Sequence, residues 1–283
     1  MKNKFAVDIQ VTGRCNMACD FCCGAIKYTS DEDAGTIKSA IDKIKSVGAT
    51  TVVFSGGEPL VRDDIAEVLG YAHKQGLVTY LSTNGLLLFK KYESFKDSID
   101  CLGLPIDGSS AEMNAMVGRD QRMFDNNLEI LRYFKKNPPK HSVKIGTLVS
   151  KVNMNDIPNI ARLLSENEVY RPDVWRLYQF TPIREGLSSR AKHEISDLDF
   201  NRICTEVKGQ YPQLNISELS NEDSDNSYLF IDPKMNIQLL IKNEFLNLGN
   251  IEKMTTGEIK EIIRKSTDLN ARNSMNRRWL YEK

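Results

Sequence analysis

Hydrophobic positions along this chain alternate between two patterns. Short runs rich in β-branched and apolar residues recur: FAVDIQV (5–11), TVVFS (51–55), LVTYLS (77–82), CLGLPI (101–106), VKIGTLV (143–149) and WRLYQFT (175–181). They have strand length and strand composition. Between them, apolar residues return every three or four positions, as on one face of a helix. Ile37, Ile41 and Ile44 make one such stripe. Ile65, Val68, Leu69 and Ala72 make a second, and Ile157, Ile160 and Leu164 a third. Six strands, each followed by room for a helix, predict an α/β fold with a parallel sheet. Right-handed crossovers curl such a sheet, so the expected architecture is a partial (β/α)6 TIM-like barrel.

After about residue 195 the alternation weakens. DLDFNRICTEVKGQY reads as a helix, and SYLFID and NIQLLI read as paired strands. TTGEIKEIIRK opens with Thr255 and Thr256 ahead of Glu258, in the manner of a capping box. The expected organisation is a barrel core over residues 1–195 and a C-terminal α+β extension over 196–283, packed on its substrate side.

Composition narrows the setting more than the chemistry. Hydrophobic residues at 41% and charged residues at 27% are ordinary for a globular protein. The 38 basic residues equal the 38 acidic ones, so no overall field draws the chain to nucleic acid or to an anionic membrane. Apolar runs are strand-sized, and MKNKFAVDIQVTG alternates into a strand where a signal peptide would be continuously apolar. Six cysteines in 283 residues are too few for a disulfide scaffold and suit a reducing compartment. The expected location is the cytoplasm.

The chemistry gathers after the strands. In parallel βα folds reactive groups collect at the C-terminal ends of the strands. Here those ends carry VTGRCNMACDFCCGAIK (11–27), SGGEP (55–59), STNG (82–85), DGS (107–109) and TPIREG (181–186). The first holds Cys15, Cys19 and Cys22, with three residues in one gap and two in the other. Thiolates are soft ligands for zinc or iron–sulfur clusters, and a tetrahedral zinc site wants a fourth ligand. The three histidines (73, 141 and 193) all lie far along the chain from the trio. Three cysteines around a [4Fe-4S] cluster leave one iron open, which is the reading the spacing favours over zinc or buried structural cysteine.

CNMACDFC, with Phe21 just before the third cysteine, resembles the CxxxCxxC motif of the radical S-adenosylmethionine superfamily. GGEP and STNG follow where that superfamily has comparable motifs, and the resemblance covers about residues 5 to 185. It implies a [4Fe-4S] cluster on Cys15, Cys19 and Cys22 and S-adenosylmethionine bound to the open iron. It also implies reductive cleavage to a 5′-deoxyadenosyl radical, which abstracts a hydrogen atom from the substrate. Gly56 and Gly57 are then expected to allow close backbone approach to the cofactor, and Glu58 to help hold the methionine ammonium. Ser82 and Asn84 are expected at the ribose or methionine, and Arg119 at the methionine carboxylate. Phe21, Phe180 and Pro182 would flank adenine. A reducing partner such as flavodoxin or ferredoxin is implied.

Within the superfamily, VGRD after IDGSSAEMNAM, then VKIGTLVSKVN, VWRLYQFTPIREG and NSYLFID, follow in the order seen in the viperin family. Viperins are antiviral lyases that dehydrate nucleoside triphosphates to 3′-deoxy-3′,4′-didehydro nucleotides. The resemblance implies a nucleotide substrate contacted by Lys27, Lys144, Arg176 and Tyr228, with Arg277 and Arg278 as further cations. The chain departs from that family in CGAI after the third cysteine and in Gly146 after VKI. The alternative is radical modification of a peptide or small molecule, by an epimerase, cyclase or dehydratase. Cys204 alone is too little for a second cluster, and is either an epimerase-like hydrogen donor or a buried helix cysteine. A non-catalytic metal-binding protein would need the cysteines but has no use for GGEP, STNG and Arg119. Mutating Glu58 discriminates the two.

Overall fold

The strand Phe5–Gln10 (β1) sits inside one continuous sheet, and its alternation sets the plan of the molecule. The computed structural model describes residues 5–24, 30–224 and 229–265. Lys27, Tyr228, Arg277 and Arg278 lie outside them. After β1 come Ala49–Ser55 (β2), Val78–Ser82 (β3), Cys101–Pro105 (β4), Ser142–Val149 (β5) and Val174–Gln179 (β6). All six pair parallel, each with the next in chain order. The six expected strands are therefore present, within one or two residues of the expected limits.

The sheet is larger than the six-strand expectation. Ile216–Leu219 (β7) adds parallel to β6, and Leu229–Ile231 (β8) adds parallel to the other side of β1. Asn236–Ile241 (β9) and Glu244–Asn250 (β10) continue antiparallel beyond β8. The expected pairing of SYLFID with NIQLLI is the β8–β9 pair. Its attachment to β1 has no signal in the sequence, because three residues of strand carry too little pattern to assign a partner. The result is an open sheet, with strands from the C-terminal region on both sides of the six.

Side chains alternate across this sheet with period two. Val7, Ile9, Val143, Ile145, Trp175 and Leu177 belong to the large apolar core. Helices cover that side. In Ala34–Ser46, Ile37, Ala40, Ile41 and Ile44 are buried, each isoleucine contributing about 2 kcal/mol relative to exposure. Asp33 caps this helix by accepting from Thr36 N at 2.8 Å. The helices Ile65–Lys74 and Ile157–Ser165 bury the other two stripes. Cys204, 1% exposed in the helix Asp197–Gln210, joins this core, and burial pushes its thiol up to about 12. Farther on, Thr255 and Glu258 form the reciprocal capping box.

The residues between these core positions face the opposite, inner side of the curled sheet. They include Asp8, Tyr80, Gly103, Lys144, Gly146, Arg176 and Tyr178. Strand ends make the mouth of this lumen, and inner side chains make its wall.

Candidate active site

The mouth is tied together by backbone contacts that only glycine permits. Gly56 has φ +137°, and a Cβ there would lie 2.4 Å from the Thr12 carbonyl oxygen. A Cβ on Gly57 would lie 2.1 Å from the Arg14 carbonyl oxygen. Gly57 N donates to Thr12 O at 2.8 Å and Glu58 N to Arg14 O at 2.9 Å. In this structure the two glycines approach the chain leading into Cys15.

Glu58 then links the second loop to the third. It is 1% exposed. Its carboxylate accepts from Leu60 N at 2.9 Å, Thr83 Oγ1 at 2.6 Å and Asn84 N at 2.7 Å. Burial pushes this carboxyl above its ordinary range, and the three hydrogen bonds hold it back. Asn84 completes the tie by donating from Nδ2 to Asn16 Oδ1 at 2.7 Å, inside the cysteine loop. Ser82 closes β3 beside them, half-buried. Thr83, central to this network, carries no signal in the sequence, because a threonine in STNG reads as an ordinary turn residue.

A third tie comes from the helix Ala111–Val117. It is stopped by Gly118 in the left-handed region, φ +109°, where a Cβ would meet Asp20 Oδ1 at 2.3 Å. This turn aims Arg119 back at the cysteine loop. Its Nε donates to Asp107 Oδ2 at 2.6 Å, its Nη1 lies 3.7 Å from Cys19 Sγ, and the guanidinium stands 4.6 Å above the Phe21 ring. Burial opposes the Arg119 charge, but Asp107 and Cys19 outweigh it and keep the guanidinium charged. Burial also raises the Cys19 thiol, with Arg119 pulling it back down.

Phe21 packs with Val117 and Phe180 in a small cluster separate from the main core. His193, fully buried, lies 5.5 Å from the Phe21 ring and 5.3 Å from the Phe180 ring. Its Nε2 is 3.4 Å from Asp20 Oδ1. Pro182 is buried in the same loop. His193 sits far along the chain from the cysteines, and no motif marks it.

Cys15, Cys19 and Cys22 are unpaired thiols, the first exposed and the others half-buried. Cys15 feels both Cys19 and Cys22 electrostatically, so all three sulfurs are neighbours. Among the described residues no three His, Cys, Asp or Glu side chains converge as ligands of a single metal ion would. A four-iron cluster asks something different, three thiolates on three separate irons. One loop with three neighbouring, accessible soft donors fits that demand.

Below the mouth, the inner wall is charged. Lys144 and Arg176 are 3% and 2% exposed, on neighbouring strands. Lys144 Nζ is 2.5 Å from Tyr178 Oη and stands 5.2 Å and 5.1 Å from the Tyr80 and Tyr178 ring centres. Gly103 and Gly146 make room for these rings, since a Cβ on Gly103 would lie 2.1 Å from Tyr80 Oη and one on Gly146 would lie 3.1 Å from Tyr178 Cε2. Gly146 therefore has a packing reason: the space is occupied by Tyr178 from the next strand. Burial, then Arg176, depresses the Lys144 amine well below its usual value. Arg176 Nε donates to Ser217 Oγ at 3.0 Å. Asp8 lies within electrostatic reach of Lys144 and Arg184, hydrogen-bonded by Ser55. Arg184 has φ 50° and donates to Gly24 O, Cys23 O and Gln238 Oε1, spanning from the cysteine loop to β9. A cavity of about 580 Å³ lined by Lys151, Gln179, Glu194 and Asp197, among others, shares no residue with this lumen.

Comparison with known proteins bears on the fold and the family. The family pattern described as Radical SAM superfamily matches residues 9–164, just over half of the chain. The chain is 25% identical over 242 residues to the S-adenosylmethionine-dependent nucleotide dehydratase of Selenomonas ruminantium, covering 81% of this chain and 83% of that protein. It is 31% identical over 204 residues to the Fe-coproporphyrin III synthase of Methanosarcina barkeri, covering 70% of this chain but only 49% of that protein. Among solved structures, Streptococcus suis SuiB bound to its precursor peptide SuiA superposes with a TM-score of 0.71 at 17% identity. That match covers 91% of this chain and 64% of SuiB, so the chain spans somewhat under two thirds of that structure.

Proposed function

The chain belongs to the radical SAM superfamily, and from that premise we propose that it dehydrates a nucleotide whose phosphates are drawn into the lumen by Lys144 and Arg176. Enzymes of this family use a [4Fe-4S] cluster and S-adenosylmethionine, which together supply the adenosyl group that removes a hydrogen atom from the substrate. Cys15, Cys19 and Cys22 would hold the cluster. Glu58, Ser82, Asn84 and Arg119 would hold the methionine and ribose portions, with Gly56 and Gly57 shaping the loop and Phe21, Phe180 and Pro182 beside adenine. A flavodoxin- or ferredoxin-type partner would deliver the electron. No described helix is long and apolar enough to cross a membrane. The six unpaired thiols suit a reducing cytoplasm.

The observation that carries the reading is the pair of buried basic side chains on β5 and β6, where an arriving anion would favour the charged form of the depressed Lys144 amine. Two like charges taken out of water repel, and such a pair is stable only with an anion or a depressed amine. A polyphosphate supplies several acceptor oxygens at once, which Arg176 can meet with its planar fork and Lys144 as a point charge. Lys27, Tyr228, Arg277 and Arg278 would complete the phosphate set. The similarity to the Selenomonas dehydratase, over most of both chains, points the same way. The competing reading is a peptide or other small-molecule substrate, since SuiB shares the fold.

The test is anaerobic reconstitution with iron and sulfide, followed by dithionite and S-adenosylmethionine. The 5′-deoxyadenosine formed is measured with and without each ribonucleoside triphosphate. One nucleotide should raise it by about tenfold or more, with a product lighter by one water; a tenfold rise is about 1.4 kcal/mol of barrier. Slow formation indifferent to every nucleotide would overturn the nucleotide reading and leave the radical enzyme intact.

A further inference from the structure

We propose that Asp8 and Ser55 form a hydroxyl-recognising subsite in the lumen, which takes the vicinal hydroxyls of a sugar whose anionic end is held by Lys144 and Arg176. The inference rests on the nucleotide reading and adds to it the part of the wall that meets the ribose.

Position comes first. Asp8 lies on β1 between Val7 and Ile9, which are both fully buried on the helix-covered side, so it points inward. It keeps partial exposure there, whereas Lys144 and Arg176 are almost fully enclosed. Ser55 is the last residue of β2 and directly precedes Gly56, so the pair sits just below the loop that would carry the cofactor. Lys144, on the inner wall, and Arg184, which reaches up to the cysteine loop, are both within electrostatic reach of Asp8. A ligand touching Asp8 thus lies next to the strand end that leads into Gly56 and within electrostatic reach of Lys144.

Chemistry then selects the ligand group. A carboxylate repels phosphate, so the anionic end of a substrate is directed to Lys144 and Arg176. A carboxyl group has about four acceptor positions. Ser55 takes one of them on Oδ1 and is the one side-chain hydrogen-bond partner of Asp8 among the described residues. Oδ2 is left to the lumen. Adjacent hydroxyls match this arrangement, with one donating to Oδ2 and its neighbour reaching the Ser55 hydroxyl. Asp8 is also poised to gain from such contacts, because burial pushes its carboxyl up to about 7 and each added donor stabilises the charged form. In a dehydration the hydroxyl-bearing carbons are the ones that react, and this subsite would place them beneath the cofactor loop.

The experiment is equilibrium binding to the reconstituted protein by calorimetry, using ATP, CTP, GTP and UTP and the 2′-deoxy counterpart of each. Wild type should prefer the ribonucleotide by about tenfold or more, as expected for a hydrogen bond to a charged group. Asp8→Ala should bring that ratio to within about twofold by weakening the ribonucleotide alone, on the same basis. Asp8→Asn, which preserves volume and so guards against misfolding, should also shrink the ratio. Lys144→Ala should weaken both nucleotides together and leave the ratio standing. A ribo-to-deoxy ratio that survives in both Asp8 variants overturns the subsite while sparing the nucleotide reading. Wild type that binds no nucleotide overturns both, and is told apart because it appears without any mutation.

Discussion

Two carboxylates divide this molecule into two kinds of site. Glu58 at the mouth is fully enclosed and accepts three hydrogen bonds, from Leu60, Thr83 and Asn84. Asp8 in the lumen is partly open and has one hydroxyl partner with cations nearby. The mouth therefore keeps its shape by satisfying itself. The lumen keeps acceptor positions on Asp8 whose best partners would come with a ligand. A rigid mouth suits a cofactor that is the same in every turnover, and an open carboxylate in the lumen suits the substrate.

The largest effect tests whether the mouth exists to hold a cluster at all. Cys15→Ala, Cys19→Ala and Cys22→Ala should each abolish iron and sulfide incorporation on reconstitution, while Cys23→Ala should leave it in place. Cys23 lies next to Cys22 but outside the spacing of the trio. Cys19→Ala protein that binds a full complement of iron and sulfide would sink the assignment.

The next effect separates scaffold from cofactor contact at Glu58. Glu58→Gln keeps one carbonyl oxygen but turns an amide NH₂ toward one of three donors that are themselves buried. Leaving such a donor unpaired costs about 2 kcal/mol. The apoprotein should lose about that much stability, read as a lower urea midpoint, before any cofactor is added. Unchanged apoprotein stability would show that Glu58 serves the cofactor alone, and the mouth would then resemble the lumen.

The same contrast explains what the sequence made legible. The mouth was readable because each loop is contiguous: Cys15 to Cys22, Gly56 to Glu58 and Ser82 to Asn84 are short words in the chain. The six strands and three helical stripes were readable for the same local reason. The lumen is assembled from single residues on six strands and a loop, and no local pattern joins Asp8 to Lys144, Arg176 and Arg184. Resemblance pointed to Lys144 and Arg176, but not to their enclosure or to the tyrosines around them. One local signal was present. A charged residue inside an otherwise apolar strand, as in FAVDIQV, VKIGTLV and VWRLYQ, marks a side chain that the barrel interior must accommodate. The short strand β7 and the attachment of β8 to β1 stayed hidden, because three or four residues cannot show a period.

The smallest effect concerns Asp8 without any ligand. Its carboxyl is raised from the ordinary 3.8 to about 7, chiefly by burial and against the pull of Ser55, Arg184 and Lys144. A group whose folded value is raised contributes stability at pH below its unfolded value and loses that contribution as pH rises through the folded one. Wild-type apoprotein should therefore lose stability relative to Asp8→Asn between about pH 5 and about pH 8. Each tenfold change in proton affinity is worth about 1.4 kcal/mol, and water in the lumen screens part of it, so the relative loss should be about 1 kcal/mol. Urea midpoints of both proteins at the two pH values measure it. If the midpoints move in parallel, Asp8 ionises like a surface carboxylate. The lumen would then hold its charges as comfortably as the mouth holds Glu58, and the division between the two regions would fail at its weakest point.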